Sequence, residues 1–357
     1  MTDLVRLGWD DKWAEAFAAL DVPGCVPGRV ALEHNHVFRV LTAQGELLAE
    51  TAGRVKHHAS GRRELPAVGD WVAVRPDPRG GRALIRAVMG RRSLFSRKAA
   101  GKETDEQVVA ANIDSVLLVF GLDKPVNQRS IERYLTVARR GGAEPIVVLN
   151  KVDLAEHPDE ALASGRAAAG NVPVLLVSAQ RGSGLDQIDE LAGPGRTIAL
   201  LGPSGAGKSS LVNCLVGREV LPTGEVRSWD ARGRHTSVHR QLVLREAGGL
   251  VIDTPGMREI QLWDTETGLG ETFEDVAALA ADCRFRDCRH DQEPGCAVKV
   301  AVAESRLGKE RYESFMKLQR EQEVVAERRE ERGLIEARRQ GRIMGRAIRA
   351  MQKQRGR

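Results

Sequence analysis

A glycine-rich segment in the second half of the chain carries side chains with specific chemistry. It reads Gly-Pro-Ser-Gly-Ala-Gly-Lys-Ser over residues 202–209, which fits the pattern GxxxxGK[ST]. An apolar run, Thr197–Leu201, predicts a strand before it, and a helix is expected over Lys208–Val216. Backbone N–H groups of such a loop wrap phosphates, its lysine bridges the β- and γ-phosphates, and the next hydroxyl binds Mg²⁺. The residues expected to hold a nucleoside triphosphate are Gly202, Pro203, Ser204, Gly205, Ala206, Gly207, Lys208, Ser209 and Ser210.

Two later segments could complete the phosphate and magnesium site. Asp253 ends an apolar run in Asp253-Thr254-Pro255-Gly256, where its carboxylate could reach Mg²⁺ through water. The backbone N–H of Gly256 is expected to meet the γ-phosphate. In the loop over 224–239, Thr236 is the expected second Mg²⁺ ligand, and Ser237 remains an alternative.

A third group of residues predicts which base is bound. Asn150-Lys151-Val152-Asp153 follows an apolar run over 145–149. A carboxylate at Asp153 can accept hydrogen bonds from guanine N1–H and the 2-amino group, a donor pair that adenine lacks. Lys151 is expected to lie along the base and ribose, and Asn150 to tie this loop to the phosphate side. Ser178-Ala179, after the next apolar run, is expected to offer a backbone N–H to guanine O6.

The order of these segments is unusual, because the base-reading residues precede the phosphate-reading residues. Loops at the carboxyl ends of parallel strands converge whatever their order, so a circularly permuted GTPase is the predicted fold of this region. Met257 stands where many GTPases carry a water-orienting Gln, which predicts slow intrinsic hydrolysis. His235 and His239 are candidates for orienting that water; the alternative is that they are ordinary exposed or packed histidines.

Four residues near the C-terminal end have the composition of a metal site. Cys283, Cys288, His290 and Cys296 offer three thiolates and one imidazole, a closed tetrahedral set for one structural Zn²⁺. Free buried thiols or redox chemistry are the alternative. The remaining cysteines, Cys25 and Cys214, are expected to be ordinary core residues, and an odd total argues against a disulfide framework.

The texture of the chain predicts several units. Residues 1–27 form an arm with a short amphipathic helix, and 28–105 an OB-type β-barrel, although an SH3-like barrel has a similar sequence pattern. The five expected barrel strands cover 30–41, 46–56, 70–75, 83–88 and 93–96. Alternating strands and helices over 106–270 predict the α/β GTPase domain, followed by a zinc-binding domain over 271–305 and a basic helical extension over 306–357.

Charge suggests a polyanionic partner. The chain has 54 basic and 49 acidic residues, and the segment from residue 337 onward carries basic residues without any acid. Arg338, Arg342, Arg346 and Arg349 recur at helical spacing. The barrel region is also basic and could bind nucleic acid, with a merely solvated surface as the alternative; its basic residues are Arg54, Lys56, His57, His58, Arg62, Arg63, Arg91, Arg92, Arg97 and Lys98. No apolar run approaches a membrane span, no secretory signal is expected, and the cysteine pattern favours the cytoplasm.

Together these residues resemble the RsgA (YjeQ) family of circularly permuted GTPases, which act in late assembly of the small ribosomal subunit. The resemblance rests on the barrel, the linker over 107–114, the permuted segments and the Cys-His-Cys cluster. It implies binding of the 30S subunit and 16S rRNA, subunit-stimulated hydrolysis of GTP to GDP, and one zinc ion, and we expect a monomer. This chain departs from the family in its longer N-terminal arm, in Ser237 where a further Thr is usual, and in its long basic C-terminal extension.

Two other classes of protein are alternatives. A metabolic P-loop phosphotransferase would leave the Asn150–Asp153 segment unexplained. A GTP-independent RNA-binding protein would be expected to lose Lys208 or Asp153, and both are present.

Overall fold

The computed structural model describes residues 3–59, 61–98, 106–218, 241–245, 248–253, 269–270, 272–320 and 323. The strands are β1 (Val26–His34), β2 (Val37–Thr42), β3 (Gly45–Thr51), β4 (Trp71–Arg75), β5 (Ala83–Val88), β6 (Leu94–Lys98), β7 (Glu106–Ala111), β8 (Ser115–Gly121), β9 (Glu144–Asn150), β10 (Val174–Val177), β11 (Thr197–Leu201), β12 (Gln241–Leu244) and β13 (Leu250–Asp253). The helices are α1 (Asp11–Ala18), α2 (Gly53–His58), α3 (Gln128–Arg140), α4 (Pro158–Ala169), α5 (Leu185–Leu191), α6 (Lys208–Val216), α7 (Glu274–Ala280), α8 (Ala297–Ala303) and α9 (309–320).

The first five strands close into a barrel. Their order is β1-β2-β3-β5-β4, and β4 pairs back with β1. The β3–β5 pairing is parallel and the others are antiparallel, an arrangement typical of OB barrels. Its interior is filled by buried aliphatic side chains and one aromatic: Val30, Phe38, Val40, Ala49, Val72, Val74, Ala83 and Ile85. The expectation of an OB-type barrel is confirmed.

The barrel uses different strands from those expected. The run over 30–41 is two strands, because Asn35 and His36 both have positive φ, 49° and 62°, and form a two-residue hairpin turn. The strand expected at 93–96 belongs to β6, which pairs with β7 outside the barrel. The run over 46–56 ends as a strand at Thr51, and Lys56 lies on α2.

The α/β region contains a mostly parallel sheet in the order β10-β9-β8-β11-β13-β12. Alternate residues of β8 face opposite apolar clusters: Leu118 and Phe120 share one with Ile131 of α3, while Leu117 and Val119 share the other. Strand β12 is antiparallel to β13 and also pairs with β1, where Leu32 is opposite Gln241. The strands of the barrel and of the α/β region therefore belong to one continuous sheet.

The N-terminal arm and a buried arginine join the barrel to the linker. Arg29, only 2% exposed, donates hydrogen bonds to the carbonyl oxygens of Leu7, Gly69 and Asn112. Burial lowers the pKa of Arg29 to about 10, so the guanidinium remains charged at neutral pH. The expected arm helix is present as α1, and its Trp13 packs near Trp71 of the barrel.

Two arginines of the expected basic barrel surface, partly buried Arg91 and exposed Arg92, are paired with aspartates of the same chain. Arg91 forms a two-pronged ion pair with buried Asp70, with both N–O distances at 2.7 Å. Arg92 pairs in the same way with Asp10 of the arm, at 2.6 and 2.7 Å. The sequence shows their charge but not these partners, which lie 21 and 82 residues away in the chain.

The C-terminal helices pack against α3. Helix α8 ends at Ala303 and α9 begins at 309, and Ser305, with φ of 57°, lies in the break between them. Arg311 of α9 contacts Glu132 of α3 and Asp275 of α7. Residues 324–357, with the expected basic face, lie outside the described residues. In the described part of the chain, we find no helix with the length and apolarity that a membrane span requires.

Candidate nucleotide and metal sites

The glycine-rich loop connects β11 to α6, as its sequence predicts. Gly202, Gly205 and Gly207 have positive φ angles of 144°, 80° and 88°. A Cβ at Gly202 would collide with the carbonyl oxygen of Val119, and one at Gly207 with the side-chain amide of Asn150. The loop therefore needs glycine both for backbone conformation and for space.

Lys208 and the two serines occupy the first turn of α6. The ammonium group of Lys208 donates to the carbonyl oxygens of Gly202 and Pro203, at 2.8 and 2.5 Å, which holds it over the loop. Ser209 and Ser210 follow it, where backbone N–H groups at the start of a helix favour an anion. Pro203, Ser204 and Gly205 are exposed, whereas Ala206 is buried.

Asn150 joins the base-reading loop to the phosphate-reading loop. Its side-chain amide donates to the carbonyl oxygen of Ala206 at 2.9 Å, and its side-chain oxygen accepts from the backbone N–H of Ala179 at 3.1 Å. Asn150 is only 1% exposed, so both bonds are shielded from water. The structure thus brings together three segments that are separate in the chain.

The other base-reading residues lie beside this junction. The hydroxyl of Ser178 donates to the Asp153 carboxylate and thereby holds the pKa of Asp153 below its ordinary value. Asp153 is therefore ionised at neutral pH, as a guanine-binding carboxylate must be. Lys151 has a left-handed backbone, with φ of 65°, and its ammonium lies 3.1 Å from Asp123.

Sequence reasoning missed Asp123 and misjudged Cys214. Asp123 follows β8 closely, and only the converging strand ends indicate that it could meet Lys151. Cys214 is exposed rather than in the core, and its thiol donates to the carbonyl oxygen of Ala179 at 3.0 Å. Its position on α6 sets this exposure, which the residue type alone does not indicate.

Of the remaining magnesium and hydrolysis candidates, only Asp253 lies within the described residues. Asp253 ends β13, and Ile252 before it is in register with Ala199 of the neighbouring strand β11. Asp253 therefore lies at the carboxyl end of the parallel strands, the same end of the sheet at which β11 leads into the glycine-rich loop. The residues His235, Thr236, Ser237, His239, Gly256 and Met257 lie outside the described residues.

The four metal-site candidates are brought together around one point. The ligand atoms of Cys283, Cys288, His290 and Cys296 all lie within 4.8 Å of one another. His290 Nδ1 is 3.6 Å from the Cys283 sulfur and 3.5 Å from the Cys296 sulfur, which are themselves 4.0 Å apart. Tetrahedral Zn²⁺ with bonds of about 2.0–2.3 Å would separate its ligands by about 3.5–3.8 Å. The donor set and its spacing fit a metal ion of this kind.

Local structure fixes these ligands. Burial lowers the pKa of His290, which keeps the imidazole neutral and able to donate a lone pair. The backbone carbonyl of His290 accepts a 2.6 Å hydrogen bond from the Tyr312 hydroxyl. Burial is the largest effect on the pKa of Cys283 and raises it, but the backbone N–H groups of Val298 and Ala297, together with hydrogen bonding to Cys288 and Cys296, lower the pKa overall. The start of α8 therefore contributes to stabilising a thiolate at this position.

Comparison with known proteins gives the family. A family model described as RsgA GTPase matches residues 88–263. A relative from Opitutus terrae, named small ribosomal subunit biogenesis GTPase RsgA, is 50% identical over 336 residues, which is 91% of each chain. The crystal structure of YjeQ from Thermotoga maritima has a TM-score of 0.62 and 27% identity, covering 82% of this chain and 97% of that one.

A second solved structure bears on the order of the segments. YloQ, described as a circularly permuted GTPase, has a TM-score of 0.59 over 85% of this chain and 96% of its own, at 24% identity. The predicted circular permutation is confirmed at the level of the fold. With the extent of the match to the Opitutus relative, the observations lead to one conclusion: the chain belongs to the RsgA family of GTPases, enzymes that hydrolyse GTP.

Proposed function

We propose that this GTPase binds the small (30S) ribosomal subunit through 16S rRNA and assists its late assembly, with GTP hydrolysis stimulated by the subunit. The observation that carries the nucleotide part is the pair of Asn150 hydrogen bonds, which joins the base-reading and phosphate-reading loops into one site. Support for the subunit comes from the relative's name, small ribosomal subunit biogenesis GTPase. Basic residues on the barrel surface supply charge suited to rRNA phosphates.

Each nucleotide-site residue has a proposed role. Asp153 selects guanine through N1–H and the 2-amino group, the backbone of the Ser178–Ala179 segment binds O6, and Lys151 lies along the base. Lys208 and the loop N–H groups neutralise the β- and γ-phosphates. Ser209, Asp253 and either Thr236 or Ser237 would hold Mg²⁺, which would neutralise phosphate charge, and Gly256 would contact the γ-phosphate. His235 or His239 orients the attacking water, since Met257 cannot.

The proposal also covers the metal ion, the oligomeric state and the cellular compartment. One Zn²⁺ bound by Cys283, Cys288, His290 and Cys296 has a structural role, because four protein ligands leave no open position for a substrate. When bound, it stabilises the C-terminal module, which comprises the metal ligands and helices α7, α8 and α9. The protein acts as a monomer in the cytoplasm.

GTP turnover with and without purified small subunits tests this function. We expect slow hydrolysis alone, a large stimulation by small subunits, and little hydrolysis of ATP under either condition. Lys208→Ala should abolish the stimulated rate, because the β- and γ-phosphates lose their cation. Stimulation that is absent with small subunits would remove the ribosomal assignment while leaving the GTPase activity intact. Equal turnover of ATP and GTP would instead contradict the role of Asp153.

A further inference from the structure

A cationic groove lies on the barrel between α2, the segment after it, and β5. Its volume is about 850 Å³, large enough for a nucleotide-sized group. Its basic lining residues are Arg54, His58, Arg63, Arg86 and Arg91, whereas Glu64 is the one acidic residue among the described residues of the lining. Val55, Val88 and Met89 supply an apolar floor. The groove therefore combines positive charge with a surface against which a sugar or base can pack.

Part of this charge is available to a ligand. Within the described residues, neither Arg54 nor Arg86 has an ion pair, and both side chains are exposed. Arg91, in contrast, is held by Asp70 and donates to the carbonyl oxygens of Arg63 and Leu65. Arg91 thereby fixes the segment that forms one wall. Arg91 thus fixes the shape of the groove, whereas Arg54 and Arg86 supply positive charge that a ligand can contact.

A second, more apolar pocket adjoins the groove. Its volume is about 410 Å³, and Ala59 lines both cavities. Phe38, Leu65, Pro66 and Val108 give it an apolar lining at one end of the barrel. Thr51 and Gln107 add hydrogen-bonding side chains, Lys56 and Arg62 add positive charge, and Glu33 adds one negative charge. Apolar walls with a few polar groups are suited to a flat heterocycle such as a nucleobase.

We propose that the cationic groove and the apolar pocket together bind an unpaired stretch of RNA, with phosphates in the groove and one unstacked base in the pocket. This proposal rests on the rRNA partner of the proposed function and adds the form of RNA and its place. OB barrels usually bind nucleic acid on the face of their second and third strands. Here the cationic groove lies instead beside α2 and β5.

The two cavities favour unpaired RNA over other polyanions. An acidic peptide could satisfy the groove arginines but would leave the adjoining apolar pocket without a role. Duplex RNA presents phosphates but keeps its bases stacked, so no base could enter the pocket. An unpaired strand satisfies both, because its bases are free to leave the stack.

Gly90 allows the groove to be tested without disturbing the fold. It lines the groove, its φ is not positive, and no atom of the described residues, its chain neighbours aside, lies within 4 Å of where a Cβ would be. Gly90→Glu should lower affinity for a fluorescent single-stranded oligouridylate by about tenfold or more compared with Gly90→Gln, because a carboxylate repels phosphate. The measurement is fluorescence anisotropy over a series of salt concentrations.

Gly61 provides the corresponding test of the pocket. It lines the apolar pocket, has an extended backbone, and also has open space at the Cβ position. Gly61→Leu should weaken binding of the single strand severalfold but leave the affinity for a duplex of the same length unchanged. Gly308→Glu is the charge-matched control for Gly90→Glu. Gly308 is an exposed position of the C-terminal module with similar open space, so this variant should retain RNA affinity.

The outcomes are decisive for this proposal. Thermal unfolding midpoints should show that all variants are folded. The proposal requires both losses, so unchanged single-strand affinity in either Gly90→Glu or Gly61→Leu overturns it. An equal loss of duplex affinity in Gly61→Leu also overturns it, and binding of an acidic peptide in competition with the oligouridylate would point to a protein partner instead. Failure of the ribosomal function would be visible separately, as absent GTPase stimulation in the unaltered protein.

Discussion

The carboxylate of Asp153 is the group that we expect to distinguish guanine from other bases. Replacing it with Asn removes an acceptor and introduces an amide N–H that faces guanine donors. Asp153→Asn should therefore weaken GTP binding about tenfold or more, whereas binding of xanthosine triphosphate, which has a carbonyl at position 2, should improve. Isothermal titration with both nucleotides measures the change.

Ser178→Ala is the matched variant for that experiment. It removes the hydroxyl that donates to Asp153 but keeps the carboxylate. Its affinity for GTP should fall less than that of Asp153→Asn, and its preference for GTP over the xanthine nucleotide should persist. A switch of preference in Ser178→Ala would show that Asp153 is not the group that reads the base.

Gly207 is a second position where one added atom should matter. Gly207→Ala combines a left-handed backbone, which costs about 1–2 kcal/mol for a non-glycine residue, with a collision against the Asn150 amide. We expect lower stability together with a marked loss of GTP affinity. Gly24 also has a left-handed backbone, with φ of 72°, but has open space around it. Gly24→Ala should therefore lose only the stability that the left-handed backbone costs, and it should bind GTP normally. Similar GTP affinity in both variants would contradict this reading of the loop.

The sequence alone predicted the position of a residue where that position depends on its neighbours in the chain. It did not predict contacts or exposure that depend on residues far away in the chain. Gly202, Lys208 and Asn150 could be placed because their neighbours in sequence also define their strand ends. Arg92 and Cys214 could not. Arg92 is paired by an aspartate of the arm, and the exposure of Cys214 follows from which side of α6 packs against the sheet.

Strand pairing shows the same limit among the secondary-structure elements. Apolar alternation predicted β5 and β11 at their observed bounds, Ala83–Val88 and Thr197–Leu201. It did not show that β6 leaves the barrel to pair with β7, because alternation reveals a buried face but not the strand beside it. The turn at Asn35 and His36 was also missed, although both residue types tolerate positive φ.

The packing of α9 against α3 can be tested through a buried ion pair. Arg311→Met would leave Glu132, 4% exposed, without its cationic partner, which should cost about 3–5 kcal/mol in urea unfolding. Burial already raises the pKa of Glu132, and loss of Arg311 should raise it further. The deficit should then shrink as pH falls to about 4, because the carboxyl becomes protonated in both folded and unfolded chains.

An exposed ion pair between the same two helices serves as the control. Arg129 and Glu313 are 52% and 47% exposed, so Arg129→Met should cost less than about 1 kcal/mol, with little dependence on pH. Equal losses in both variants would show that Glu132 and Arg311 contribute no more than a surface pair.

The units of the chain are joined at a few buried contacts rather than by linkers alone. Arg29 bonds the arm, the barrel and the β7–β8 connection at one point, and the Leu32–Gln241 pairing makes barrel and GTPase strands one sheet. The C-terminal module adds the contact of Arg311 with Glu132 of α3. The nucleotide loops are therefore held by the sheet, and the metal site by helices packed on one side of it.

This division predicts what loss of zinc should do. Cys296→Ser should reduce bound zinc below one ion per chain and destabilise α7, α8 and α9, because metal binding supplies much of the folding energy of small metal-bound modules. GTP affinity should remain within severalfold of normal, since the Asn150–Ala206 contact lies within the GTPase sheet. Cys25→Ser, outside the cluster, should keep its zinc. Metal analysis by atomic emission and titration with GTP measure both properties. Full zinc content in Cys296→Ser would remove that thiolate from the ligand set, and complete loss of GTP binding would show that the metal-bound module supports the nucleotide site directly.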